Sequence, residues 1–196
     1  MIQEDIKQEY YWQKRSLQEN WKDRIWLYVE GLSKAIESVK SNYVYNNTEK
    51  QFHLERVFAY ELYYQWKKLL NKRGENPEKL MLNAELSKFY HNKKCDKKYR
   101  FPDMVLHGNY DDKKRQFIIC EIKYTKNPIS TSTLQKDIDS LIDGMDKLEY
   151  HFSVFIYVGN KWENTAKRMR QLVPDGQAKR ILFIGVDGKK NHYELL

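Results

Sequence analysis

Cysteine is scarce in this chain of 196 residues, since only Cys95 and Cys120 occur, with no CxxC spacing and no nearby pair of histidines. The sequence therefore predicts neither a disulfide framework nor a structural zinc site. No apolar run approaches the ~20 residues that a membrane span needs, and the start, MIQEDIKQEY, lacks the basic and then apolar layout of a signal peptide. We therefore expect a cytoplasmic protein without a membrane partner.

Several catalytic motifs are also missing, because the sequence contains no P-loop, GxGxxG, GxSxG, HxH or HExxH. Nucleotide-dependent, serine-hydrolase and histidine-metal chemistry are therefore disfavoured. Positive charge is in excess, with 35 Lys+Arg against 27 Asp+Glu and a formal net charge of +8. This balance favours an anionic partner, with nucleic acid ahead of a membrane surface. Hydrophobic residues at 41% still suffice for a full core.

Hydrophobic spacing divides the chain near residue 50. From Ile2 to about Tyr45, apolar residues recur at spacings of three and four, with no proline and a single glycine, which predicts one long helix or two. A polar stretch precedes a second helical segment, from Phe52 to about Lys72. We therefore assign residues 1–47 to an N-terminal helical arm and residues 51–196 to the main domain. The arm is a candidate surface for assembly into a homo-oligomer.

The remainder of the chain predicts strands followed by alternating helices and strands. A helix capped by Ser132 or Thr133 is expected after the third strand. The other predicted elements are strands at 79–87, 101–107, 116–124, 151–158 and 180–186, a helix at 162–172 and a closing edge strand through Leu195. This order predicts an α/β fold with a mixed central sheet flanked by helices.

A charged pair ends the third predicted strand. Side chains alternate between the two faces of a strand, so Glu121 and Lys123 share a face on which we also expect Phe117 and Ile119. A carboxylate and an ammonium therefore end a row that is otherwise apolar. A strand with a purely structural role rarely needs such an ending, although a salt-bridged strand end is the simpler alternative.

A second carboxylate is predicted to lie opposite the first. If Asp103 pairs with Glu121, the bend of the hairpin falls at Asp112, inside a stretch rich in turn residues. Two directly opposed carboxylates, roughly 5 Å apart, repel each other, and a divalent cation relieves that repulsion. We therefore expect a hard metal ion at this pair.

The helix that begins near Leu54 carries two acidic candidates. At about 100° per residue, Glu55 falls inside the arc of apolar side chains and Glu61 lies just outside it. A carboxylate that faces a sheet is costly unless a cation receives it, so Glu55 is the first candidate and Glu61 the reserve. Glu85, flanked by apolar residues on the first predicted strand, is a further candidate for the same cluster.

A Pro-Asp dipeptide ending at Asp103 and a Glu-Ile-Lys tripeptide from Glu121 to Lys123 together resemble the signature of the PD-(D/E)XK nuclease superfamily. The likeness covers roughly residues 51–186. It implies that the main domain is nuclease-like and has the restriction-endonuclease-like core of that superfamily.

The resemblance also implies a role for each candidate residue. Asp103 and Glu121 would bind Mg²⁺ or Mn²⁺, and Lys123 would position and polarise the attacking water. A glutamate of the first core helix, Glu55 or Glu61, would support the metal site. The implied activity is that of an endonuclease that hydrolyses phosphodiester bonds through a metal-activated water, with DNA favoured over RNA.

A run of basic residues precedes the Asp103 strand, where phosphate contacts would help, although such a run is equally often only a solvated surface. These residues are Lys93, Lys94, Lys97, Lys98 and Arg100. The alternative function is a non-catalytic module that keeps the nuclease-like fold and binds nucleic acid or assembles with itself. A third hypothesis is a regulatory protein whose basic surface meets an acidic protein.

Overall fold

The computed structural model describes residues 20–43, 51–72, 80–84, 102–108, 116–125, 127–187 and 191–196. These residues form one six-stranded sheet with helices packed on both faces. The helices are α1 (Asn20–Tyr43), α2 (Gln51–Lys72), α3 (Thr131–Lys147), α4 (Trp162–Leu172) and α5 (Asp175–Ala178), and the strands are β1 (Met81–Ala84), β2 (Met104–His107), β3 (Gln116–Tyr124), β4 (Phe152–Val158), β5 (Ile181–Val186) and β6 (Asn191–Leu195).

The strands lie side by side in the order in which they occur along the chain. β1, β2 and β3 are successive antiparallel neighbours, β3, β4 and β5 run parallel, and β6 returns antiparallel to β5. Helices α3 and α4 make the two crossovers that parallel neighbours require. The predicted mixed sheet flanked by helices is therefore confirmed. None of the described helices has the length and hydropathy that a membrane span requires.

Helices α1 and α2 cover one face of the sheet. Trp26 of α1 meets Phe152 of β4 edge to face, with ring centroids 5.7 Å apart, and Phe58 and Trp66 of α2 are fully buried in the same cluster. Residues 20–43, which were predicted to belong to an N-terminal arm, thus share a core with the sheet. The domain boundary near residue 51 and self-association through the arm stay predictions.

Helices α3 and α4 cover the other face. The helix expected after the third strand is confirmed as α3, and its Leu134, Ile138 and Leu141 are fully buried against the sheet. The predicted cap was wrong, because α3 begins at Thr131 and its N-cap is Ser130. The Ser130 hydroxyl accepts a hydrogen bond from an N–H group of the first turn at 3.1 Å, which is the bond that defines an N-cap.

Other boundaries differ from the predictions for local reasons. β2 begins at Met104 and not at residue 101, because Pro102 has no N–H to donate and the Asp103 side chain takes a backbone N–H of β3. The single turn of α5 was not predicted, since Gly176 suggested a break. It forms because two successive N–H groups donate to the carbonyl of Pro174, at 2.8 and 3.2 Å.

The end of β3 is held by a close backbone approach. Thr125 donates its N–H to the carbonyl of Val158 at 3.0 Å. Gly159 follows with a φ of 156°, and a Cβ there would lie 2.2 Å from the Thr125 carbonyl oxygen. Only glycine fits this position without displacing the backbone. These contacts fix the position of Thr125, which lies two residues after Lys123.

Candidate active site

The register of β2 and β3 brings two acidic residues together. Met104 pairs with Cys120, and the next two pairs follow in the same register. Asp103, the residue before Met104, therefore lies opposite Glu121 at the open end of the β2–β3 hairpin, which we call the mouth of the hairpin. The predicted register is therefore confirmed along the part of the hairpin that leads to the acidic pair.

A β-bulge interrupts this register at the opposite end of the hairpin, near His107. The pairing shifts just before His107, so Phe117 has no residue opposite it. Phe117 packs edge to face against Tyr28 of α1, with ring centroids 5.1 Å apart, on the side of the sheet away from α3. The prediction that Phe117 shares the face of Glu121 was wrong, because the extra residue of the bulge reverses the alternation there.

Asp103 is tied to the opposite strand by its side chain. Its Oδ2 accepts the backbone N–H of Ile122 at 2.6 Å. Burial raises the pKa of Asp103 to about 6, even though this hydrogen bond and the positive charge of Lys123 act in the opposite direction. The negative charges of Glu55 and Asp137 add to the rise. The negatively charged groups around Asp103 therefore outnumber the positive charge that Lys123 supplies.

Glu121 and Lys123 form an ion pair on the α3 side of the sheet, with Lys123 Nζ 2.9 Å from Glu121 Oε1. Glu121 is only 8% exposed. Burial, followed by the charge of Asp103, raises the pKa of Glu121 to about 8 despite the adjacent ammonium. Burial alone would lower the pKa of Lys123, but the charges of Glu121 and Asp137 raise it above its usual value. Lys123 is therefore a fixed positive charge.

The two helix glutamates take different positions. Glu55, in the second turn of α2, accepts the backbone N–H of Tyr124 through Oε2 at 3.0 Å and so reaches the end of β3. Glu61 instead accepts a hydrogen bond at 2.7 Å from Gln65 of its own helix. The structure therefore brings Glu55, and not Glu61, to the residues of the hairpin. A role for either in supporting a metal ion stays a prediction.

One residue of the site, Asp137, was not predicted from the sequence. Asp137 of α3 is 1% exposed, and its Oδ2 lies 3.5 Å from Lys123 Nζ. The ammonium therefore lies between two carboxylates, one from β3 and one from α3. A signal existed, because Asp137 follows Leu134 by three positions and precedes Leu141 by four, which places an acid within an apolar helix stripe.

Some candidates lie outside the residues that the structure describes. These are Glu85 and the basic run of Lys93, Lys94, Lys97, Lys98 and Arg100. Their assignment to the acidic cluster and to phosphate binding stays a prediction.

The donor chemistry at Asp103 and Glu121 fits Mg²⁺ or Mn²⁺. Within the described ranges, no group of three or more His, Cys, Asp or Glu is arranged as a metal cage, so the site offers a pair of carboxylates. Mg²⁺ in phosphoryl-transfer sites commonly uses one or two carboxylates and completes its coordination with water and substrate phosphate. Burial is the main cause of the raised pKa of both groups, and a bound divalent cation would favour their charged forms.

No protein-family model, curated protein or solved structure matches the chain.

Proposed function

We propose that this chain is a metal-dependent nuclease of the PD-(D/E)XK type, which hydrolyses phosphodiester bonds and acts on DNA in preference to RNA. One observation carries the proposal, namely the meeting of Asp103, Glu121 and Lys123 at the mouth of the β2–β3 hairpin. The order of helix, three antiparallel strands, crossover helix and parallel strand supports a restriction-endonuclease-like core.

Each side chain has a defined task in this reaction. Asp103 and Glu121 would hold the cation, which when bound orients the scissile phosphate and lowers the pKa of a water molecule. Lys123 places a compact positive charge beside the acidic pair, where it orients the attacking water and offsets charge that develops on the phosphate.

Two further residues keep this arrangement in place. Asp137 holds the Lys123 ammonium from the α3 side, so the ammonium does not depend on Glu121 alone for its position. Glu55 fixes the end of β3 to α2 through the Tyr124 N–H. Both are positioning residues under this proposal. The net charge of +8 suits a polyanionic substrate.

We expect the purified protein to nick or linearise supercoiled plasmid with Mg²⁺ or Mn²⁺ and to be inactive with EDTA. Asp103→Asn is the matched control, because the amide oxygen can still accept the Ile122 N–H while the ligand charge is lost. This variant should cleave at least about 100-fold more slowly. Gel analysis of plasmid, single-stranded DNA, branched DNA and RNA measures the cleavage rates of wild type and of Asp103→Asn.

Two results would contradict the proposal. One is the absence of products from every substrate with either cation, and the second is equal cleavage by wild type and Asp103→Asn. Binding without cleavage would favour the non-catalytic module.

A further inference from the structure

The outward face of α2 carries a composition that the proposed reaction does not explain. Its side chains are described from residue 55 to residue 72, and the exposed ones point away from the buried Phe58, Leu62 and Trp66. The exposed residues are Arg56, Val57, Tyr60, Tyr64, Lys67, Lys68, Asn71 and Lys72. None of these is acidic. We call Arg56, Tyr60, Tyr64, Lys67, Lys68 and Lys72 the basic–aromatic face.

Spacing makes this face continuous. Arg56, Tyr60, Tyr64, Lys68 and Lys72 follow one another at intervals of four, and side chains four apart are neighbours on a helix surface. The exposed side of α3, in contrast, mixes acids and bases. The exposed charged residues of this face of α2 are therefore all positive, which suits an anionic partner.

The two tyrosines are the second unusual feature. Tyr60 is 52% exposed and Tyr64 is 58% exposed. Every other tyrosine whose side-chain burial the structure describes is buried or half-buried. Large rings that stay in water between cations are typical of surfaces that stack against nucleobases.

The face also leads to the candidate active site. It begins one residue after Glu55, whose carboxylate bonds to the Tyr124 N–H at the end of β3. From Arg56 to Lys72 it extends for about 24 Å along the helix. A strand bound along it would therefore approach the mouth of the hairpin at the Arg56 end.

We propose that the basic–aromatic face of α2 binds single-stranded nucleic acid and leads it toward Asp103, Glu121 and Lys123. Arg56, Lys67, Lys68 and Lys72 would contact phosphates, and Tyr60 and Tyr64 would stack on bases. The rise between these tyrosines is about 6 Å, compared with about 3.4 Å between stacked bases of a duplex. Two bases bound to them are therefore unstacked from each other, which favours a single strand. The inference rests on the proposed function, because it names the substrate of the same site.

The stacking step is tested by binding without cleavage. Fluorescence anisotropy measures the affinity of a labelled single-stranded DNA of about 20 nucleotides, which exceeds the usual site size, and of its duplex. The protein carries Asp103→Asn, and EDTA is present. Tyr60→Leu/Tyr64→Leu should weaken binding of the single strand at least about 10-fold, whereas Tyr60→Phe/Tyr64→Phe, which keeps the rings, should stay within about twofold.

The phosphate contacts are tested by the salt dependence of the same binding. Lys68→Gln/Lys72→Gln should reduce the slope of log affinity against log salt by about 1.4 for the single strand. The control is Lys136→Gln/Lys179→Gln, which removes two exposed cations that do not belong to α2 and should leave the slope unchanged. Thermal unfolding of each variant confirms that the fold is retained.

The inference is overturned if Tyr60→Leu/Tyr64→Leu binds the single strand as tightly as Tyr60→Phe/Tyr64→Phe. It is also overturned if Lys68→Gln/Lys72→Gln leaves the salt slope unchanged, as the control variant should. Equal losses for single strand and duplex would also overturn it. These outcomes are separate from those of the cleavage assay. If plasmid cleavage depends on Asp103 but Tyr60→Leu/Tyr64→Leu binds the single strand as wild type does, only this inference is wrong. If the single strand binds through α2 but no substrate is cleaved, only the nuclease proposal is wrong.

Discussion

Replacing Lys123 by methionine should lower the rate of metal-dependent cleavage at least about 100-fold and leave nucleic-acid affinity within about twofold. The ammonium is 2.9 Å from Glu121 and 3.5 Å from Asp137, so it is held beside the acidic pair and away from the basic–aromatic face. Single-turnover cleavage and binding with EDTA measure the two quantities. Lys136→Met is the matched control, because it removes an exposed lysine from α3 and should cleave like wild type.

Stability must be separated from catalysis in this variant. Without Lys123, the buried Glu121 and Asp137 lose their shared cation, which costs on the order of 3–5 kcal/mol if both stay charged. Lys123→Met/Asp137→Asn removes one of these charges and should regain part of the lost stability without regaining activity. Cleavage by this double variant at the wild-type rate would contradict a role for Lys123 in the reaction.

The metal-free protein should become less stable, relative to Glu121→Gln, as the pH rises from about 5 to about 8. The pKa of Glu121 is raised from 4.5 to about 8 and that of Asp103 from 3.8 to about 6. The native state therefore keeps protons that the unfolded chain has already released, so these groups lower the free energy of unfolding as pH increases. We expect the difference between the variant and wild type to grow by about 3–4 kcal/mol over this range.

Urea unfolding followed by circular dichroism at several pH values measures this difference. Lys123 keeps a partner in Glu121→Gln, because Asp137 remains 3.5 Å from its ammonium. Glu163→Gln, which removes an exposed carboxylate from α4, serves as the control and should follow wild type. Addition of Mg²⁺ at pH 8 should stabilise wild type and not Glu121→Gln. If the free energy of unfolding varies with pH in the same way for wild type and Glu121→Gln, the raised pKa of Glu121 is contradicted.

The acidic pair was predictable from sequence because it depends on two local regularities. Strand alternation placed Glu121 and Lys123 on one face, and the turn residues between the two predicted strands suggested the register that brings Asp103 level with Glu121. The bulge at Phe117 escaped this reasoning, because a single extra residue reverses the alternation and leaves no mark in the hydrophobic pattern. The N-cap at Ser130 was missed for a similar reason, since four consecutive hydroxyl residues, from Ser130 to Thr133, could each have served.

Contacts between distant elements were less predictable. The choice between Glu55 and Glu61 depends on where α2 crosses the end of β3, and the helix periodicity alone does not fix that crossing. The ion pair between Asp137 and Lys123 likewise depends on how α3 packs after its crossover. An acid inside an apolar stripe marks such a residue, but its partner emerges only from the packed structure.

The central claim is that Asp103 and Glu121 together bind a divalent cation. Crystals soaked in Mn²⁺ and measured at a wavelength where manganese scatters anomalously test it directly. We expect one strong anomalous peak within about 2.0–2.3 Å of a carboxylate oxygen from each residue, and we expect this peak to be lost in Asp103→Asn. Anomalous peaks that avoid this pair, or a peak that persists unchanged in the variant, would contradict it.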